Sequence, residues 1–205
     1  MNTLKPWIAP ALLASLLIAC ASPAPAPVLL TLPPAAAPIA NATAALPGAQ
    51  ASPQLLAVRR INIPEYLVAR RVRYRADAST LAEWPNTYWA ERIEIGVSRE
   101  FVSALRQYLP GWALCDTTCG DQGPALTLQV DLVPLDYLRG AQKLQARARI
   151  ALSGAGVSPG VAQVQEQAYD LPASADTAQA QAQVMAQLIQ QVAATSAVLV
   201  RNAKP

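Results

Sequence analysis

The chain has 205 residues, 53% of them hydrophobic, with no histidine and a formal net charge of +3. Without histidine there can be no Ser-His-Asp triad, imidazole metal ligand or imidazole proton shuttle, so any catalysis would have to rest on Asp, Glu, Lys, Tyr or Cys. A charge this small, carried mostly by arginine with Lys only at Lys5, Lys143 and Lys204, argues against a nucleic-acid partner, and neither a cofactor nor a metal is expected.

The N-terminus places Lys5 before an apolar run from Ile8 to Ile18 that closes on Leu17-Ile18-Ala19-Cys20. That run is shorter than the roughly 20 residues needed to cross a bilayer, and its end has the pattern of a bacterial lipobox. Residues 1–19 therefore read as a lipoprotein signal peptide, leaving Cys20 as the lipidated first residue of the mature chain. Each buried methylene contributes about 0.8 kcal/mol and one acyl chain holds only marginally, so the several chains of a processed lipoprotein make a lasting anchor. Ala21, where Asp would favour inner-membrane retention, points to the periplasmic face of the outer membrane in a Gram-negative bacterium.

Residues 21–53 hold eight prolines and twelve alanines in 33 positions, the composition of a disordered linker following the lipidated cysteine. Wholly in polyproline II it would reach about 100 Å, at ~3.1 Å per residue. Val28 to Leu32 is the one apolar patch in it that could dock. The domain is expected from residue 54 to 205.

From Gln54 the pattern changes to alternation. Leu56 and Val58 suit a first strand ending near Ile63-Pro64, and Pro64-Glu65-Tyr66-Leu67 makes a turn or short crossing. Arg71, Arg73 and Arg75 then alternate with Val72, Tyr74 and Ala76, and Thr80 to Trp84 returns as the hairpin partner, ended by Pro85. Trp89, Ile93, Val97, Phe101, Leu105 and Leu109 recur every four residues, with Glu91 and Glu94 early and Arg106 late, which predicts an amphipathic helix stopped by Pro110-Gly111.

Cys115 and Cys119 are spaced for a short disulfide in an oxidising periplasm, contributing about 2 kcal/mol on the chain-entropy model. A redox-active pair is the sharper alternative, but the spacing is not Cys-x-x-Cys. Alternation predicts strands over Leu126–Leu132 and Leu144–Leu152. Gly154 to Gly160 has the look of a phosphate loop, yet a weak strand over 161–169 follows it, so a hairpin loop is expected. Asp176 can cap a last helix carrying Val184, Leu188, Val192 and Leu199. The sum is an α/β (α+β) fold: a single two-layer sandwich, its sheet mostly antiparallel, with two amphipathic helices on one face.

Ile63-Pro64-Glu65-Tyr66-Leu67, Trp89-Ala90 and Leu109-Pro110-Gly111-Trp112, with the lipobox and the element order, resemble the ABC-type transport auxiliary lipoproteins, also called the PqiC or paraquat-inducible protein C family. The resemblance covers roughly residues 54–200. It implies a non-enzymatic, outer-membrane-anchored subunit of an intermembrane lipid-transport machine that supports envelope integrity. Its implied partner is an MCE-domain (PqiB-like) protein crossing the periplasm, and a homo-oligomeric ring is implied for some members.

If the function lies in surfaces, the candidates are Pro64, Glu65, Tyr66 and Leu67 with the row Arg71, Arg73 and Arg75, facing an acidic partner or lipid headgroups. The same residues could be structural, with Tyr66 stapling the turn to the core and the arginines protecting a sheet edge. Two other classes compete. A lipoprotein regulator of a cell-wall synthase also joins a Pro-rich tether to a small α/β domain. A hydrolase would need a carboxylate pair such as Asp131 with Asp136, for which no partner pattern exists.

Overall fold

The computed structural model describes residues 25–34, 54–116, 119–120, 123–154 and 163–203. The signal peptide, the lipobox with Cys20, the remainder of the linker and the glycine run after Gly154 lie outside the described residues. In chain order the elements are β1 (Val28–Leu30), β2 (Gln54–Val58), β3 (Arg71–Arg75), β4 (Leu81–Trp89), α1 (Ile93–Tyr108), β5 (Trp112–Cys115), β6 (Leu126–Leu138), β7 (Lys143–Gly154), β8 (Gln163–Pro172) and α2 (Ala178–Asn202).

β6 organises the sheet. Leu126, Leu128, Val130 and Leu132 are buried while Gln129 is exposed, and the antiparallel partner β7 buries Leu144, Ala146, Ala148, Ile150 and Leu152 while exposing Arg147 and Arg149. One face of the ladder is thus apolar and the other polar, so both helices must lie against the apolar face. β7 covers one edge of β6 along its length, and the other edge is shared, with β2 pairing to Leu126–Leu128 and β3 to Leu138.

The sheet is mixed, with eight strands, and not mostly antiparallel. β1–β4, β2–β5, β2–β6 and β3–β6 are parallel pairs; β3–β4, β6–β7 and β7–β8 are antiparallel. Alternation along a strand records which face is buried, not which neighbour or direction the strand takes. β2 lies between β5 and β6, both distant in sequence, so no local pattern announces those parallel contacts.

Four boundaries depart from the sequence expectation, two of them because a bulge shifts the register. Pro85 does not end β4, because the β3–β4 register jumps from Arg73–Glu83 to Arg71–Tyr88 and leaves Pro85 in a bulge where its missing N–H costs no ladder bond. Asn86, beside it, takes the left-handed conformation at φ 48°. β6 runs six residues beyond Leu132, since a bulge between Leu132 and Leu135 switches the buried parity and brings Leu135 and Tyr137 inward. Trp89 ends β4 instead of opening α1, and Thr177, not Asp176, caps α2, its hydroxyl accepting from Ala180 N at 3.1 Å.

The helices pack on each other and close one core. α1 contributes Ile93, Val97, Phe101 and Leu105, and α2 contributes Val184, Met185, Leu188, Ile189 and Val192. Each such side chain contributes about 1.5–3 kcal/mol on burial. α2 is long and apolar enough to cross a bilayer, but 61% of its most apolar stretch is buried inside the domain, which makes it a core helix. Gln181 in its first turns is buried and satisfied, accepting from Trp84 Nε1 and donating to Arg73 O, both at 2.7 Å.

Part of the expected linker belongs to the domain. β1 lies parallel to β4, with Val28, Leu29 and Leu30 opposite Thr87, Tyr88 and Trp89. Leu30 and Leu32 are buried, Ala90 N donates to Leu30 O at 2.8 Å, and Asn86 Nδ2 donates to Pro25 O and Ala26 O at 2.7 and 3.0 Å. The apolar patch at Val28–Leu32 is the segment that docks.

Candidate functional site

Pro64 enters a single 3₁₀ turn over Glu65–Leu67, closed by Leu67 N donating to Pro64 O at 2.9 Å. Pro64 and Leu67 are buried, Glu65 is exposed and Tyr66 is half-buried. The phenol of Tyr66 donates to Asp136 Oδ1 at 2.9 Å, and the same oxygen pairs with Arg75 Nη2 at 3.0 Å. The Arg75 guanidinium also stands 5.7 Å from the centre of the Tyr66 ring. Burial, with Asp136 adding to it, pushes the Tyr66 hydroxyl above its ordinary value, and Asp136 holds Arg75 more firmly charged.

Glu83 clamps the other two arginines. Arg73 Nε lies 3.3 Å from Glu83 Oε1 and Arg73 Nη1 donates to Tyr66 O at 3.0 Å, while Arg71 Nη1 lies 3.4 Å from Glu83 Oε2. Arg71 also covers the Tyr88 ring at 5.2 Å. The structure therefore brings the turn and the row together as one cluster with its own counter-ions. Arg71 is the most open of the three, its side chain 50% exposed against 20% for Arg75.

Sequence reasoning missed the acidic half of this cluster. Glu83 stands opposite Arg73 across the β3–β4 hairpin, so the expected hairpin, taken one step further into register, would have found that pair. Asp136 carries no such signal, being 70 residues from Tyr66 and beyond the β6 bulge. A second cluster was missed altogether: Arg139 pairs with Asp176 at 3.0 Å, donates from Nη1 to the Tyr74 hydroxyl oxygen at 2.8 Å and lies 4.3 Å over the Trp84 ring. It ties the β6–β7 turn to the start of α2.

Asp131 and Asp136 do not act as a free carboxylate pair. Asp131 faces Arg149 at 3.6 Å, and Asp136 is held by Tyr66 and Arg75. Cys115 and Cys119 are joined as a disulfide with Cα atoms 5.3 Å apart. Among the described residues no group of three Cys, Asp or Glu side chains could hold a metal ion.

The overall fold is shared with solved proteins. A crystal structure of an uncharacterized protein superposes at a TM-score of 0.67 with 19% identity, covering 86% of this chain and 99% of its own. A Xanthomonas campestris protein of the DUF330 family superposes at 0.57 with 18% identity, covering 87% and 94%. These likenesses define a fold class. The chain itself belongs to the family of ABC-type transport auxiliary lipoprotein components, whose family model matches residues 32–197. No curated protein matches the sequence.

Proposed function

We propose that the chain is a non-enzymatic periplasmic lipoprotein, anchored to the outer membrane through Cys20, that serves as the auxiliary subunit of an MCE/ABC-type intermembrane lipid-transport system. The observation that carries this reading is the family match over residues 32–197 directly behind a lipobox at Leu17–Cys20. The absence of histidine and the commitment of Asp131 and Asp136 to arginine partners agree with a role in holding and positioning other proteins. In this reading Glu65, Tyr66 and Arg71 present the partner-facing surface, and Pro64, Leu67, Arg73 and Arg75 keep it in shape.

Crosslinking in intact cells followed by affinity purification tests it. Recovery of an MCE-domain protein of the periplasm is expected, reduced when Arg71 is replaced by Glu. Recovery of a penicillin-binding protein with no MCE-domain protein would overturn the reading in favour of a cell-wall synthase regulator.

A further inference from the structure

A groove of about 450 Å³ runs between α1 and the β2–β5 edge of the sheet. Its floor is hydrocarbon: Val58 is 3% exposed, Val102 and Leu114 are half-buried, and Ile95 stands 41% exposed at the mouth. Its rim is cationic, carrying Arg59, Arg60 and Arg106, all exposed.

Among the described residues these three arginines have no carboxylate partner, a state they share with Arg70, Arg147 and Arg201, none of which lines the groove. Arg71, Arg73, Arg75, Arg92, Arg139 and Arg149 are each paired with a carboxylate, and Arg99, on the same rim, is taken by Glu91 at 2.6 Å and Glu100 at 3.0 Å. Asp116 also lines the groove and is engaged in interactions of its own.

We propose that this groove binds an anionic glycerophospholipid. A guanidinium is permanently charged and matches phosphate oxygens with paired N–H donors, so Arg59, Arg60 and Arg106 would hold the headgroup phosphate. The apolar floor between them takes the first part of an acyl chain, and the volume falls within the ~300–1,000 Å³ of ordinary ligand sites. A free phosphate would leave Val58, Val102 and Leu114 uncovered, and an acidic peptide would use the rim without the floor. The inference rests on the reading of an envelope lipoprotein and names the molecule its domain handles.

Calorimetric titration of the mature chain, residues 20–205, carrying Cys20→Ala in place of the lipidated cysteine provides the test. Dihexanoylphosphatidylglycerol, kept below its micellar concentration, is expected to bind at least tenfold more tightly than dihexanoylphosphatidylcholine, inorganic phosphate or hexaglutamate. Arg59→Gln with Arg106→Gln should weaken it at least tenfold. Val102→Ser should weaken it severalfold, and Arg147→Gln, on the polar face of β7, should leave it unchanged. Since all three rim arginines are exposed, a matched melting temperature certifies the fold of their variants, and Arg60→Gln alone gives a second reading. Equal affinity for the two lipids, indifference to the arginine variants, or hexaglutamate or phosphate binding as tightly as the anionic lipid would each overturn the proposal. Those results leave recovery of the MCE-domain protein untouched, so failure here and failure of the proposed function are separate outcomes.

Discussion

Tyr66, Asp136 and Arg75 form the tightest polar knot at the candidate surface, and their arrangement makes two substitutions informative. Tyr66→Phe removes one hydrogen bond and leaves Asp136 satisfied by Arg75, so it should cost about 1 kcal/mol in denaturant unfolding. Asp136→Ala leaves the Arg75 guanidinium, only 20% exposed, without its carboxylate, and should cost about 2–3 kcal/mol, discounted from a fully buried pair because water still reaches it. A smaller loss for Asp136→Ala than for Tyr66→Phe would contradict the assignment of Asp136 as the shared acceptor. The phenol also sets an alkaline limit. Its ordinary value is 10.0, and burial raises it in the folded protein, so the folded chain keeps a proton that the unfolded chain has released. That share of stability is whole below pH 10.0 and is lost as pH rises through the folded value, hence Tyr66→Phe should flatten the alkaline fall in stability. At this scale the sequence marked Tyr66 and the arginines through their spacing in a turn and a strand. It was silent on Asp136, because ion pairing across the sheet depends on which strands become neighbours.

Among the elements, the strap at β1 carries the clearest consequence. It has only three residues in ladder register, yet it buries Leu30 and Leu32 and is pinned at its start by Asn86. Leu30→Ser with Leu32→Ser should remove about 3–5 kcal/mol of apolar burial and release the segment. Limited proteolysis reads this directly: cleavage within residues 25–34 should appear in the variant while the rest of the domain resists. Equal resistance would show that the strap does not depend on those leucines. The strap was legible as an apolar patch in a Pro/Ala-rich run, but as a strand it is too short to display a period of two. β5 was missed for the same reason, having four residues of intermediate burial. By contrast α1, α2, the first half of β6 and nearly all of β7 were legible because each repeats its apolar period several times. The reading of β6 stopped at Leu132, where the bulge shifts the period out of phase.

For the whole molecule, a mixed α/β fold with two helices on a sheet was legible, while the sheet's parallel pairs, its strand number and its topology were not. Two helices over a sheet follow from apolar faces that must be covered, whereas the insertion of β2 between β5 and β6 is a long-range choice made by the packed core. The anchor gives the prediction at this scale. Cys20→Ala should release the protein from the membrane fraction and abolish its role in envelope integrity while leaving the thermal unfolding of the domain unchanged; full activity of the soluble form would refute the proposed anchoring. The docked strap then alters what the anchor can do. With Pro25 held at Asn86, only five residue steps separate Cys20 from the folded body, and at ~3.4 Å per step that is a leash of about 17 Å where the whole linker promised about 100 Å. Residues 35–53 are an internal connection between β1 and β2 and add nothing to that length. A lipidated Cys20 would therefore berth the domain against the headgroups with its Asn86 corner nearest them, and a partner crossing the periplasm would have to travel the whole way to meet it.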